Sequence, residues 1–190
     1  MGGGYFSNAG GFLLNTLFGL YIGALMLRLL LQMARADFYN PLSQAIVKLT
    51  NPTVRPLRRY IPALGKVDTA SVLLITVLQI LNTWWVGAMF GTRLGWFSML
   101  VVAFAALLSK LIYLYIFAIL IQVIASWVAP GAHNPVLRLV DALTEPLLRP
   151  IRQVLPNLGG LDLSSLVIIV LLQLALLLVV APLADFGALR

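Results

Sequence analysis

A chain of 190 residues that is 61% hydrophobic and 10% charged, with a mean hydropathy of +0.99, is not an ordinary soluble domain, where about a quarter of residues are charged. Its net charge of +7 therefore reads as a sidedness signal and a contact for anionic lipid, not as a nucleic-acid surface. The lack of cysteine excludes disulfides and thiolate chemistry within the chain, and the one histidine, His133, forms no metal-ligating pattern.

Residues 1–11 carry no Lys or Arg and so lack the basic region of a signal peptide. Residues 12–33 are the first expected span, retained in the protein. Arg28 is its only charge. It either snorkels to the interface or meets a polar group of another span. Residues 35–66 are too polar and too rich in proline to cross. Asn40 followed by Pro41 signals a helix start, with Leu42, Ala45, Ile46 and Leu49 on one face. Thr50, Asn51 and Pro52 signal a second start, and the ring of Pro56 would clash with the carbonyl of Pro52. Short helical turns on the membrane surface are expected, with Val54, Leu57 and Ile61 inward and Arg55, Arg58 and Arg59 at the headgroups. Pro62 and Gly65 end the segment.

Residues 67–85 are the second span. Asp68 and Ser71 open it, where a carboxylate favours a helix N-terminus, and Trp84 and Trp85 close it as an interfacial belt. Gln79 and Asn82 are expected to hydrogen-bond between helices, with a pore-lining role as the alternative. Residues 96–108 are apolar but short for a span. They read as interfacial or re-entrant, or as an extension of the third span at 111–128. Residues 130–156 form a second surface segment, and 161–181 the fourth span, ended by Pro182 and Asp185.

Residues 40–81 recur at 134–175 with a constant offset of 94 and no gap. Sixteen of the 42 aligned positions are identical, among them Asn40, Thr50, Pro52, Arg55, Pro56, Arg58, Asp68 and Gln79 on Asn134, Thr144, Pro146, Arg149, Pro150, Arg152, Asp162 and Gln173. The same offset places the third span on the first and the neutral Gln122 on Arg28. The expected fold is an all-α membrane protein of two tandem repeats, each a span, an amphipathic surface segment and a span. Repeat one is 1–90, a linker covers 91–104, and repeat two is 105–190. Arg58 with Asp68, and Arg152 with Asp162, are expected to pair and fix the turn into each returning span.

Basic residues mark the cytoplasmic side. The first surface segment carries Arg35, Lys48, Arg55, Arg58, Arg59 and Lys66, the second Arg138, Arg149 and Arg152, and the linker region only Arg93 and Lys110. Both surface segments thus read as cytoplasmic, with four spans and parallel repeats. If 96–108 crosses, there are five spans and the repeats are inverted.

The doubled run Thr-x-Pro-x-x-Arg-Pro-x-Arg, at 50–58 and 144–152, resembles the YggT family of small bacterial and plastid membrane proteins in its two-repeat bacterial form. Pro62, Gly65, Asp68 and Ser71 follow the first run, and Pro156, Gly159, Asp162 and Ser165 the second. Ser126 and Trp127 also look like the family, whereas the first copy has Gln32 and Met33 there. Members have been linked to osmotic-stress tolerance, cell-division neighbourhoods, plastid nucleoid distribution and haem attachment on a cytochrome b. The resemblance implies a non-enzymatic organisation or assembly factor of the bacterial inner membrane, without cofactor or catalytic residues. The alternative is a small channel or transporter for osmotic adaptation, with Arg28, Gln79, Gln122 and Gln173 at depth. Anionic headgroups, a membrane-protein partner and a second copy of the chain are the expected contacts.

Overall fold

In a computed structural model the described residues are 3–65, 67–89, 91–92, 94–128, 134–154 and 162–188. They form α1 (Gly3–Met33), α2 (Pro41–Leu57), α3 (Thr69–Met89), α4 (Trp96–Val128), α5 (Pro135–Val154), α6 (Leu163–Ala175) and α7 (Ala181–Ala188). A π-helical turn, Leu176–Val180, joins α6 to α7 in one rod. Four helical stretches are long and apolar enough to cross a bilayer: Asn8–Met33, Thr69–Met89, Trp96–Val128 and Leu163–Ala188. The chain is a multi-pass all-α membrane protein built as a tandem repeat.

Residues 96–104 do not form an element of their own. They are the first turns of α4, a continuous helix of 33 residues, about 50 Å long. No Gly or Pro interrupts it, and the lone charge of Lys110 sits on a good helix former, so Lys110 belongs to this helix and not to a linker. The fourth span likewise does not stop at Pro182 or Asp185. The π turn ends at Val180, two residues before Pro182, and its wider backbone accommodates a ring that would obstruct a regular turn. Gly187 then seats α7 on α4, since a Cβ there would lie 2.8 Å from Val102.

The surface segments are also more regular than their prolines suggest. α2 runs unbroken through Pro52 and Pro56, and α5 through Pro146 and Pro150, so Thr50 starts no second helix. Lys48, Pro52 and Pro56 follow one another at four-residue spacing on the exposed edge of α2. The carbonyls that the prolines leave without an N–H therefore lie where solvent or headgroups reach them. The start is as expected: Asn40 Oδ1 accepts from Leu42 N at 3.0 Å, and Asn134 Oδ1 from Val136 N at 2.9 Å. The inward face of α2 is Ser43, Ile46, Thr50 and Val54, while Leu42, Ala45 and Leu49 turn outward.

One cluster joins Ile22, Leu25 and Met26 of α1 to Val54 of α2 and Ile75 of α3, with Leu107 and Leu114 of α4 against it. Another joins Leu31, Ala36 and Ile46 to Leu139 of α5. Asn40 Nδ2 also donates to the carbonyl of Pro135 at 2.5 Å. The two amphipathic helices therefore meet near their starts at one end of the bundle, and the repeats run parallel. Reporter enzymes fused after Arg59 and after Arg152 should give the same compartment, and one fused after Gly91 the other. Opposite readings for the first two would contradict the parallel arrangement.

Candidate functional site

The chemistry-bearing residues gather where α2 and α5 meet the spans. In the first repeat Arg58 donates to Asp68 Oδ2 from Nε at 3.1 Å and from Nη2 at 2.6 Å, and Ser71 Oγ donates to the same oxygen at 2.5 Å. Asp68 stands just before α3 and is 2% exposed. Burial alone would raise its pKa. The hydrogen bonds from Arg58 and Ser71, with the charges of Arg58 and Arg28, more than offset this and hold the carboxyl below its ordinary value. The second repeat reproduces the pair: Arg152 reaches Asp162 Oδ2 from Nε at 3.0 Å and Nη2 at 2.8 Å, and Asp162 Oδ1 caps α6 through Ser164 N at 3.0 Å. Here the carboxylate is 42% exposed, and Arg152 also donates to Glu145 at 3.1 Å. Burial again opposes, and hydrogen bonds from Arg152 and Ser164 prevail, so the Asp162 carboxyl is also held low. Both expected pairs form. The turn between α2 and α3 is closed by Leu64 and Val67, with Gly65 at a φ of 61° that suits glycine.

A second set lies one layer deeper. Arg28 does not snorkel. It is 5% exposed, and it donates from Nη1 to Thr50 Oγ1 at 2.7 Å and from Nη2 to Asn51 Oδ1 at 3.0 Å. Thr50 in turn donates to the carbonyl of Ile46 at 2.7 Å. In the second repeat Thr144 Oγ1 donates to Gln122 Oε1 at 2.8 Å, and Gln122 Nε2 donates to Asp141 Oδ1 at 2.8 Å. The motif threonine is thus a socket for a polar side chain of the preceding span. The signal for it was the shared spacing of 22 residues, from Arg28 to Thr50 and from Gln122 to Thr144. Burial, with the charge of Glu145, raises the Asp141 carboxyl against the opposing effects of Arg152 and the Gln122 bond.

Other candidates are not part of this cluster. Arg55 and Arg149 are exposed and form no ion pair among the described residues. Pro52, Pro56, Pro146 and Pro150 line exposed helix edges. Gln79 is buried and donates to Thr83 Oγ1 at 3.2 Å, and Asn82 donates to Asn15 at 3.0 Å, which joins α3 to α1. The remaining oxygens, Gln79 Oε1 and Asn82 Oδ1, are buried without a partner among the described residues. Gln173, the repeat mate of Gln79, faces outward. Lys66, Arg93, His133, Pro156 and Gly159 lie outside the described residues. Two cavities border the helices: one of about 720 Å³ beside Arg28 and Arg58, and one of about 670 Å³ at the other end, between Thr83, Trp84, Trp96 and Met99.

The family model described as CCB3/YggT matches residues 7–89 and again 101–183. The chain is 45% identical to Pseudomonas aeruginosa protein PA0392 over 91% of its own length and 89% of that protein's. It is 44% identical to a Vibrio alginolyticus protein from the proC 3′ region, over 88% and 91%, and 40% identical to Escherichia coli YggT, over 85% and 84%. Each relative is described as uncharacterised, so the likeness carries a family and no activity. No solved structure matches the chain.

Because the folded pKa of Asp68 is lowered, its stabilisation is complete above the ordinary carboxylate value of about 3.9 and is lost as pH falls through the lower folded value. Asp68→Asn should lower unfolding free energy in detergent at pH 7 by about 1.5–3 kcal/mol, the range for a hydrogen-bonded charge. It should also flatten the acid limb of the stability curve. Asp162→Asn, at an exposed pair, should cost only about 0.2–1 kcal/mol. Equal losses for the two variants would refute the difference in burial.

Proposed function

The chain belongs to the CCB3/YggT family, and from that premise we propose that it is a non-enzymatic organising or assembly factor of the bacterial inner membrane. One observation carries the reading. The two amphipathic helices lie together at one end of the bundle, and each turns a motif arginine, Arg55 or Arg149, outward and in no ion pair among the described residues. The neighbouring motif arginines, Arg58 and Arg152, hold the hinges instead. Division of labour within one motif supports a docking face: one arginine builds the turn, and the other is left for a partner. Each outward charge near an anionic leaflet contributes about 1 kcal/mol. The excess of Lys and Arg in these segments supports a cytoplasmic placement.

A small channel or transporter for osmotic adaptation has less support. Arg28 is held by Thr50 and Asn51 at one end of the bundle, and Gln173 turns away from it, so the polar side chains do not line one path. Purified protein in liposomes should give ion flux no higher than protein-free vesicles. A flux sensitive to Gln79→Leu would favour the channel.

The docking face is tested by Arg55→Gln/Arg149→Gln in cells lacking the native gene. Insertion and sidedness should be unchanged, while growth under hyperosmotic stress should fall to the level of the empty vector. Full complementation would reduce both arginines to topological anchors.

A further inference from the structure

Arg28 is a buried cation whose acceptors, the Thr50 hydroxyl and the Asn51 amide oxygen, are both neutral. All six carboxylate side chains of the chain (Asp37, Asp68, Asp141, Glu145, Asp162 and Asp185) are among the described residues, and none forms an ion pair with it. A guanidinium withdrawn from water without an anion is costly, so buried charges are ordinarily matched. Arg28 lines the cavity of about 720 Å³, together with Arg58, Gln32, Phe38 and Val47. Asp68 reaches the same cavity, but its Oδ2 already accepts from Arg58 Nε, Arg58 Nη2 and Ser71 Oγ. Each guanidinium has five N–H donors. Arg28 uses two of them on protein acceptors, and Arg58 Nη1 has no acceptor among the described residues. The cavity thus holds two cations and one carboxylate that is already matched.

The second repeat is an internal comparison. The offset of 94 carries Arg28, Val47 and Asn51 onto Gln122, Asp141 and Glu145. The buried cation is replaced by an amide, and two carboxylates are added. Arg152 bonds to Glu145 and Asp162, and Asp141 bonds to Gln122, so that site supplies its own anions. In the first repeat two guanidiniums share the one carboxylate of Asp68, which leaves the cavity with a net positive charge that an anion from outside the chain would match.

We propose that the cavity at the α1, α2 and α3 junction binds one phosphate group, that of an anionic phospholipid, between Arg28 and Arg58. The inference rests on the reading that this end of the bundle lies at headgroup depth. Arginine forks match phosphate oxygens in bidentate fashion. Phe38 and Val47 add an apolar wall suited to the glycerol and acyl end of a lipid and not to a hydrated free anion. Arg28 lies five residues before the end of α1, about 7.5 Å along its axis, near the boundary of headgroups and acyl chains.

Native mass spectrometry of the full chain in detergent, titrated with phosphatidylglycerol, phosphatidylcholine or inorganic phosphate, tests the site. The wild type should retain one phosphatidylglycerol with roughly tenfold preference over phosphatidylcholine, and Arg28→Gln should lose at least tenfold in affinity. Asn51→Glu places the second repeat's carboxylate beside Arg28. It should abolish tight retention while thermal stability is kept or raised, so that loss of binding is not loss of fold. Displacement of the lipid from the wild type by millimolar phosphate, with phosphate retained by the wild type and not by Asn51→Glu, would support the phosphate site with a soluble source. Unchanged retention in both Arg28→Gln and Asn51→Glu would overturn it. Loss of the tight lipid in Arg55→Gln/Arg149→Gln alone would also overturn the cavity site, while leaving the docking face intact.

Discussion

The fold depends on an arginine and an aspartate ten residues apart that close each hinge, Arg58 with Asp68 and Arg152 with Asp162. A chain that lies along a membrane surface and then turns into it must bring its polar backbone through a region of falling dielectric. At each turn the aspartate stands at the N-terminal end of the returning span, where a negative charge suits the helix dipole. The arginine neutralises that carboxylate, so the pair itself carries no net charge toward the hydrocarbon. The threonine one layer deeper ties the amphipathic helix to the span before it. Span, surface helix and returning span are then held at two points.

Duplication has kept this frame and changed what it encloses. In the first repeat the carboxylate is buried, and a second guanidinium, Arg28, lies behind it. In the second repeat the carboxylate is exposed, and Gln122, Asp141 and Glu145 surround the arginine. One hinge is cationic inside and the other acidic. Their scaffold is shared, so the difference lies in a few substitutions and not in the fold.

Much of this was legible in the sequence. The ungapped repeat located both hinges, and the Asn-Pro starts named both caps, because those signals are local and the structure obeys them. The Arg–Asp pairs could be expected because a repeated charge pair flanking a turn has few other uses. The prolines misled because the local clash rule has no knowledge of which helix edge is solvated. Lys48, Pro52 and Pro56 share the exposed edge, where freed carbonyls cost little. Residues 96–108 were ambiguous because length alone cannot tell a short interfacial helix from the start of a long one. Arg28 was hardest, since snorkelling and burial depend on whether an acceptor waits nearby, and Thr50 reads first as a capping residue. Gln79 and Gln173 share a register in the repeat but not their surroundings, as the first side chain is buried and the second is exposed.

The central claim, that one charge pair per repeat holds each surface helix to its returning span, is tested most directly by double-mutant cycles on both pairs in detergent. Arg58→Gln, Asp68→Asn and their combination should yield a coupling of about 1.5–3 kcal/mol, and the Arg152 and Asp162 cycle a smaller one of about 0.2–1 kcal/mol. Additive losses in the first cycle, with no coupling between Arg58 and Asp68, would contradict the account.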